Sequence, residues 1–182
     1  MITRNRVMAA AFVSATAVAA AVGSLALASQ SAAAGTSTAA TGAPHCLTSN
    51  LSAGLHGSQV GLSNRGFILT LTNIGSQACS VDGYAGLGIE DAGHHVLPSH
   101  THHGGTYFDR DPGPSRIVLS PGETASADFA FGTGAGNQAS FLVVTPPNDA
   151  LHLTVPIPGG PIQIAGGRLF VTAMARHTPY HT

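Results

Sequence analysis

Phe67-Ile-Leu-Thr-Leu-Thr-Asn-Ile-Gly-Ser-Gln-Ala-Cys-Ser-Val-Asp-Gly-Tyr84 is the stretch that decides the fold. Phe67, Leu69 and Leu71 alternate with Ile68, Thr70 and Thr72, the period of two that places one face of a strand against a core. Asn73-Ile-Gly-Ser76 then supplies turn-forming residues, and Ala78 to Val81 resumes as a strand carrying Cys79. The stretch therefore reads as a disulfide-anchored β-hairpin.

Working outward, similar short runs recur on both sides. Leu47 to Leu55 is a weak first strand, because its interleaved Thr, Ser, Asn and Gly are poor helix formers. Leu87 to Glu90 and Ile117 to Leu119 are short strands. Ala125, Ala127, Phe129 and Phe131 alternate with Ser126, Asp128 and Ala130, which predicts a strand buried on one face. Phe141 to Thr145, Leu151 to Val155 and Leu169 to Met174 complete the series, with Gly132 to Gly136 as a flexible connector and Pro156 to Gly167 as a Pro/Gly-rich loop. Seven to nine short strands separated by Gly/Pro turns, without an amphipathic helix, is the pattern of an all-β antiparallel sandwich.

The N-terminus has a different character. Arg4 and Arg6 precede an apolar run from Val7 to Leu27, the charged and hydrophobic parts of a secretory signal peptide. Ala26-Leu27-Ala28 and Ala32-Ala33-Ala34 both offer cleavage sites, and Ala34 is preferred over Ala28, which assigns residues 1–34 to the leader. An uncleaved membrane anchor is the competing reading, since the run is long enough to cross a bilayer. Gly35 to Pro44 reads as a flexible linker (35–44), followed by one domain at 45–176 and a tail at 177–182. Asn5 separates the two arginines and no Cys lies near the end of the apolar run, so neither twin-arginine export nor lipid anchoring is indicated.

Composition removes several function classes. Of 182 residues none is Lys, and the net charge is −1. Without Arg4 and Arg6, five of the seven basic residues remain against eight acidic ones. Nucleic-acid binding and polybasic attachment to a membrane both need clustered cations, which are absent from the sequence. The two cysteines, Cys46 and Cys79, would persist as a disulfide in an oxidising compartment; free thiols or a metal site are the alternatives. A bridge would close a loop of about 34 residues, which the chain-entropy model values at roughly 3 to 4 kcal/mol.

For chemistry, His94 to Gly113 stands out as a long polar loop with at most one short strand, Val96-Leu97. His94, His95, His100, His102 and His103 fall within ten residues and together would offer imidazoles to Zn, Cu or Ni. The competing reading is a solvated loop that happens to be His-rich. Asp109-Arg-Asp111-Pro-Gly113 resembles a calcium loop only superficially, because Ser120 stands where the bidentate Glu would be required. No Gly-x-Ser-x-Gly elbow, phosphate-cradling glycine loop or carboxylate pair facing one cleft is present, so no catalytic residues are assigned.

Leu69-Thr-Leu-Thr-Asn73, Cys79, Gly83-Tyr84, Leu119-Ser-Pro121-Gly122-Glu-Thr-Ala125 and Val144-Thr-Pro146-Pro147 resemble the actinobacterial secreted domain-of-unknown-function 4232 family over roughly residues 45 to 174. The resemblance implies an exported or lipid-anchored protein with an immunoglobulin-like β-sandwich, and it carries no assigned biochemical role. Two departures stand out: Ala85 occupies the place of the family's usual Pro, and a second cysteine pair expected around 137–139 and 164–166 is missing. The sequence thus predicts a secreted, non-enzymatic structural or binding module with an unidentified extracellular or cell-envelope partner. A Zn, Cu or Ni protein built on the 94–103 segment is the alternative.

Overall fold

A computed structural model describes residues 42–176, so the leader, the linker up to residue 41 and the tail at 177–182 lie outside the described residues. In chain order the strands are β1 (Leu51–Gly61), β2 (Asn64–Asn73), β3 (Cys79–Asp82), β4 (Gly86–Glu90), β5 (Val96–Leu97), β6 (His100–His103), β7 (Arg116–Leu119), β8 (Thr124–Thr133), β9 (Gly136–Ala139), β10 (Phe141–Thr145), β11 (Leu153–Pro156) and β12 (Ile162–Val171). One sheet runs β1-β2-β8-β12-β6, with β9 also pairing β12; a second runs β11-β10-β4-β5; β3 and β7 form a ribbon of two. The fold is an all-β sandwich. It has more strands than the seven to nine expected, because polar segments read as loops also enter ladders.

The core lies between these layers. Phe67, Leu69 and Leu71 of β2 and Ala125, Ala127, Phe129 and Phe131 of β8 meet Ile89 of β4, Leu142 and Val144 of β10 and Val155 of β11 in one cluster. Burying an aliphatic or aromatic side chain of this size contributes about 1.5–3 kcal/mol before entropy is counted. The Phe67 and Phe131 rings stack with centroids 6.4 Å apart, which fixes the end of that cluster.

Phe67 to Tyr84 is not a hairpin. β2 pairs with β1 and β8, whereas β3 pairs with β7, so the turn carries the chain from one layer to another. The pivot is Asn73, fully buried, whose amide donates to the Gln77 carbonyl at 2.8 Å and the Leu119 carbonyl at 2.9 Å and accepts the Gly75 N–H at 2.9 Å. Its backbone also holds the 120–123 turn, through the Gly122 N–H and the Glu123 carbonyl. A buried amide saturated in this way prefers a corner to a continued ladder.

The predicted cysteine pair is present: Cys46 and Cys79 form a disulfide across 33 positions, both side chains buried. Around it Pro44 accepts the Ser80 N–H and Cys46 donates to the Ser80 carbonyl, each at 2.8 Å, while the Arg116 guanidinium donates to the Ala43 carbonyl. Ala43 and Pro44, expected as the end of a flexible linker, are therefore laid against β3.

Two further expectations need correction. β8 is buried on both faces: Ser126, Asp128 and Ala130 are as enclosed as the residues pointing inward. The loop expected from Pro156 to Gly167 is half strand, since β12 begins at Ile162 and pairs β9 before a register shift between Ile164 and Leu169 delivers it to β8 and β6. Gly167 makes that bend, with φ +64 and a position where a Cβ would lie 2.3 Å from the Pro98 carbonyl oxygen. The segments where the resemblance led us to expect a cysteine pair are neighbours here, Asn137 opposite Ile164, and the backbone ladder joins them without a bridge.

Candidate functional site

The segment from Glu90 to Asp111 leaves the second sheet, crosses to the edge of the first and covers its outer face. It begins with an Asx turn. Asp91 Oδ1 accepts the Gly93 N–H at 2.7 Å and the His95 N–H at 3.0 Å, and the His95 ring Nδ1 lies 3.1 Å from Asp91 Oδ2. The backbone donor of His95, then those of Gly93 and the ring, outweigh desolvation and hold the Asp91 carboxyl below its usual range. One residue earlier, Glu90 is buried and pairs with His94 Nδ1 at 2.9 Å, while the His94 ring stacks on Phe141 with centroids 4.1 Å apart.

Past β5 the chain forms a strand that the sequence did not predict. β6 pairs with β12 in parallel, Thr101 opposite Leu169 and His102 opposite Phe170. Thr101 turns inward, where its hydroxyl donates to the Leu87 carbonyl at 2.7 Å and accepts the Leu87 N–H at 3.2 Å, tying the edge of one sheet to the edge of the other. His102 stacks on Phe170 with centroids 5.0 Å apart, and His103 stacks on Tyr84 at 4.7 Å.

The five histidines are thus distributed. His94 and His95 sit in the Asp91 turn, His100 and His102 on the exposed edge strand, and His103 against Tyr84. Among the described residues no three or more His, Cys, Asp or Glu side chains converge so as to hold a metal. The structure does not bring His94, His95, His100, His102 and His103 together as one centre: His94 stacks on Phe141, His102 on Phe170 and His103 on Tyr84, while His95 pairs with Asp91.

From Gly104 the same segment becomes a strap over β8. Thr106 is its organiser: its hydroxyl accepts the N–H groups of Phe108 and Asp109, both at 3.1 Å, and donates to Asp128 Oδ1 at 2.5 Å. Asp128, fully buried, also accepts from Gln59 Nε2 at 2.9 Å. The Phe108 ring lies over Gly66, where a Cβ would come within 2.7 Å of it. Asp111 fastens the end of the strap, accepting the Tyr84 hydroxyl at 2.5 Å and the Ala173 N–H at 2.8 Å. Burial raises the Asp111 pKa, but those two donors, the Gly113 N–H and the nearby His103 outweigh it, so its carboxyl lies below the usual range. Tyr84 is raised in turn, chiefly by its hydrogen bond to Asp111. The oxygens that gave Asp109-Arg-Asp111 a calcium-loop look serve the strap.

An open recess of about 320 Å³ lies beside the Asp91 turn, lined by Asp91, Ala92, Gly93, His95, Gln138, Ser140 and Pro161. Sequence reasoning named only His95 among these for a functional role. Gln138, Ser140 and Pro161 join it through β9–β12 pairing, a contact that leaves no local signal. Ser140, His95 and Asp91 share this recess, and the His95 side chain there is 81% exposed.

The model of the family described as domain of unknown function (DUF4232) matches residues 46–175. The chain belongs to that family. No curated protein and no solved structure matches it. The match spans the whole sandwich, from Cys46 through the last core residues, so the disulfide, the buried Asn73 corner and the strap all lie within the matched residues. No helix among its described residues is long and apolar enough to cross a membrane.

Proposed function

We propose that this DUF4232 chain is an exported, non-enzymatic β-sandwich, of the actinobacterial secreted type, that serves outside the cytoplasm as a structural or binding module for an extracellular or cell-envelope partner. The observation that carries the reading is the Cys46–Cys79 disulfide, buried where the chain joins β3. Such bonds persist in oxidising compartments and are rare in the cytosol. The leader of residues 1–34 agrees with export by the general secretory route. A binding role is supported by the recess beside the Asp91 turn and by the exposed β6 edge, both presented on a stiffly paired scaffold.

Fractionation of cells producing the full chain tests this. The expected result is protein in the medium or envelope fraction, beginning after Ala34 or Ala28, with Cys46 and Cys79 refractory to alkylation until reduced. Recovery in the cytoplasm with the leader intact and both thiols alkylatable would overturn it. A substrate screen of the purified domain completes the test: turnover that disappears on replacing His95 or Ser140 would sink the non-enzymatic part.

A further inference from the structure

Unused hydrogen-bonding capacity collects in the recess beside the Asp91 turn. Asp91 Oδ1 is taken by the N–H groups of Gly93 and His95, but Oδ2 meets only the His95 ring, at 3.1 Å, and the carboxylate side chain is 37% exposed. An ionised carboxylate can only accept, so the neutral His95 ring carries its proton on Nδ1 and keeps a lone pair at Nε2. Alternation along β9 buries Ala139 and leaves Gln138 exposed; the Gln138 amide and the Ser140 hydroxyl have no partner among the described residues. Ala92 and Pro161 add exposed apolar surface. Gly93 seats the imidazole: a Cβ there would lie 2.9 Å from His95 Cε1 and 3.0 Å from Nδ1.

Charge and donor count define the occupant. Asp91 is the one acidic residue in the lining and no Arg or Lys stands there, so carboxylates and phosphates are disfavoured. Asp91 Oδ2 and His95 Nε2 only accept, whereas Gln138 and Ser140 both donate and accept, so a ligand has to bring several donors on a small body. At about 320 Å³ the recess is at the small end of small-molecule sites, which run roughly 300–1,000 Å³. We propose that it binds one neutral pyranose ring. Sugar hydroxyls donate to Asp91 and His95 and exchange hydrogen bonds with Gln138 and Ser140, while the C–H faces of the ring pack on Ala92 and Pro161. The ring belongs to a free sugar or to a unit of a polysaccharide, which share this chemistry. This names a ligand for the binding module proposed above and rests on that reading.

The test uses the ¹⁵N-labelled chain as its producing cells leave it, leader on or off, and follows the Gly93, His95, Gln138 and Ser140 amides by NMR. Saturable shifts are expected with at least one of methyl β-glucopyranoside, methyl β-galactopyranoside and methyl α-mannopyranoside, with midpoints on the order of 1–10 mM for so small a ligand. Sodium glucuronate should bind about tenfold more weakly, and cyclohexanol should leave the amides unmoved. Tighter binding of the matching trisaccharide identifies a polysaccharide as the source, and equal midpoints identify a free sugar. Q138A removes one hydrogen-bonding group and should weaken binding about three- to tenfold. G93A should do the same by displacing the His95 ring, without backbone strain because Gly93 is not among the positive-φ glycines. No saturable shift with any of the three glycosides, an equal response to cyclohexanol, tighter binding of glucuronate or of ethanolamine, or folded Q138A and G93A proteins that both bind like wild type would overturn the proposal. The wild-type arms decide it even if a variant does not fold. A failed titration leaves the module reading to the fractionation described above, whereas cleavage of the trisaccharide supports the sugar site and sinks only the non-enzymatic reading.

Discussion

The two halves of the segment from His94 to Asp111 are both polar, the first rich in His and the second without any, and they have opposite roles. His94 to His103 lies on a turn and an edge strand, three of its five rings stacked one by one on Phe141, Phe170 and Tyr84 and all five largely in water. Gly104 to Asp111 is no less polar, but its hydrogen bonds run to Asp128, Tyr84 and Ala173, groups distant in sequence and enclosed by the sandwich. What separates a decorative polar segment from a structural one is where the partners of its polar atoms lie. In the first half, Thr101 on Leu87 apart, they are neighbours or solvent; in the second they include groups enclosed by the sandwich.

Breaking the strap should therefore cost far more than stripping the histidines. D128A removes the acceptor for both Thr106 and Gln59 in a buried setting, leaving two donors without a partner. We expect a loss of about 2–4 kcal/mol, read from the midpoint of urea unfolding at unchanged slope. G66A comes next. Its Cβ would press within 2.7 Å of the Phe108 ring and 3.1 Å of the Phe129 carbonyl, so the ring has to leave its seat. That should cost about 1–3 kcal/mol and, more tellingly, speed amide exchange at Phe108 and Asp109 ahead of global unfolding. A G66A protein with intact protection there would show that the strap is not seated by Phe108.

These same contacts mark where the sequence was readable. The alternation of β2 and β8, the cysteine pair and the short β5 were legible, because period and residue type act locally. Pairing partners were not. Asn73 looks like the start of a hairpin turn until its amide is found on the Leu119 carbonyl, 46 positions away. Ser126, Asp128 and Ala130 look solvent-facing because they are small or polar, and segments distant in sequence help to enclose them, Ala175 bridging Ser126 and Thr106 and Gln59 reaching Asp128. β6 escaped notice because histidine is an indifferent strand former; its clue was Thr101 set between two histidines, one inward residue flanked by outward ones.

Acid sharpens the comparison between the halves. Asp111 and Asp91 are both depressed below the usual carboxylate range, as is Asp149, held at about 2 by the Thr48 N–H and then its hydroxyl. A carboxyl depressed in the folded state adds stability that is complete above its unfolded pKa of about 3.9 and is lost as pH falls through the folded value. Asp111 and Asp149 owe their donors to residues 62 and 101 positions away, so folding creates those donors. Asp91 draws its donors from the next four residues, a turn that can form without the sandwich. D111N and D149N should flatten the decline in stability between about pH 4 and pH 2, while D91N should leave it nearly unchanged. An equal effect from D91N would show that its turn, too, depends on the fold.

The smallest effects belong to the histidines, and their pattern is the informative part. H102A removes one ring from an exposed stack on Phe170, and a change within about 0.5 kcal/mol is expected. The same dispersal governs metal. If His94, His95, His100, His102 and His103 act separately, each single alanine variant should subtract only its own share of any zinc heat measured by titration calorimetry, and the five losses should add. Residues that share a centre behave otherwise, because removal of one ligand cripples the site for the rest and the losses become strongly non-additive. The rings point toward three different neighbourhoods, at Phe141, Phe170 and Tyr84, so additivity is the expected outcome. Collapse of binding in any single variant would mean that the segment rearranges around the ion, drawing Glu90 and Asp91 from their present partners. The price would then appear as disrupted stacking at Phe141, visible in its ring resonances.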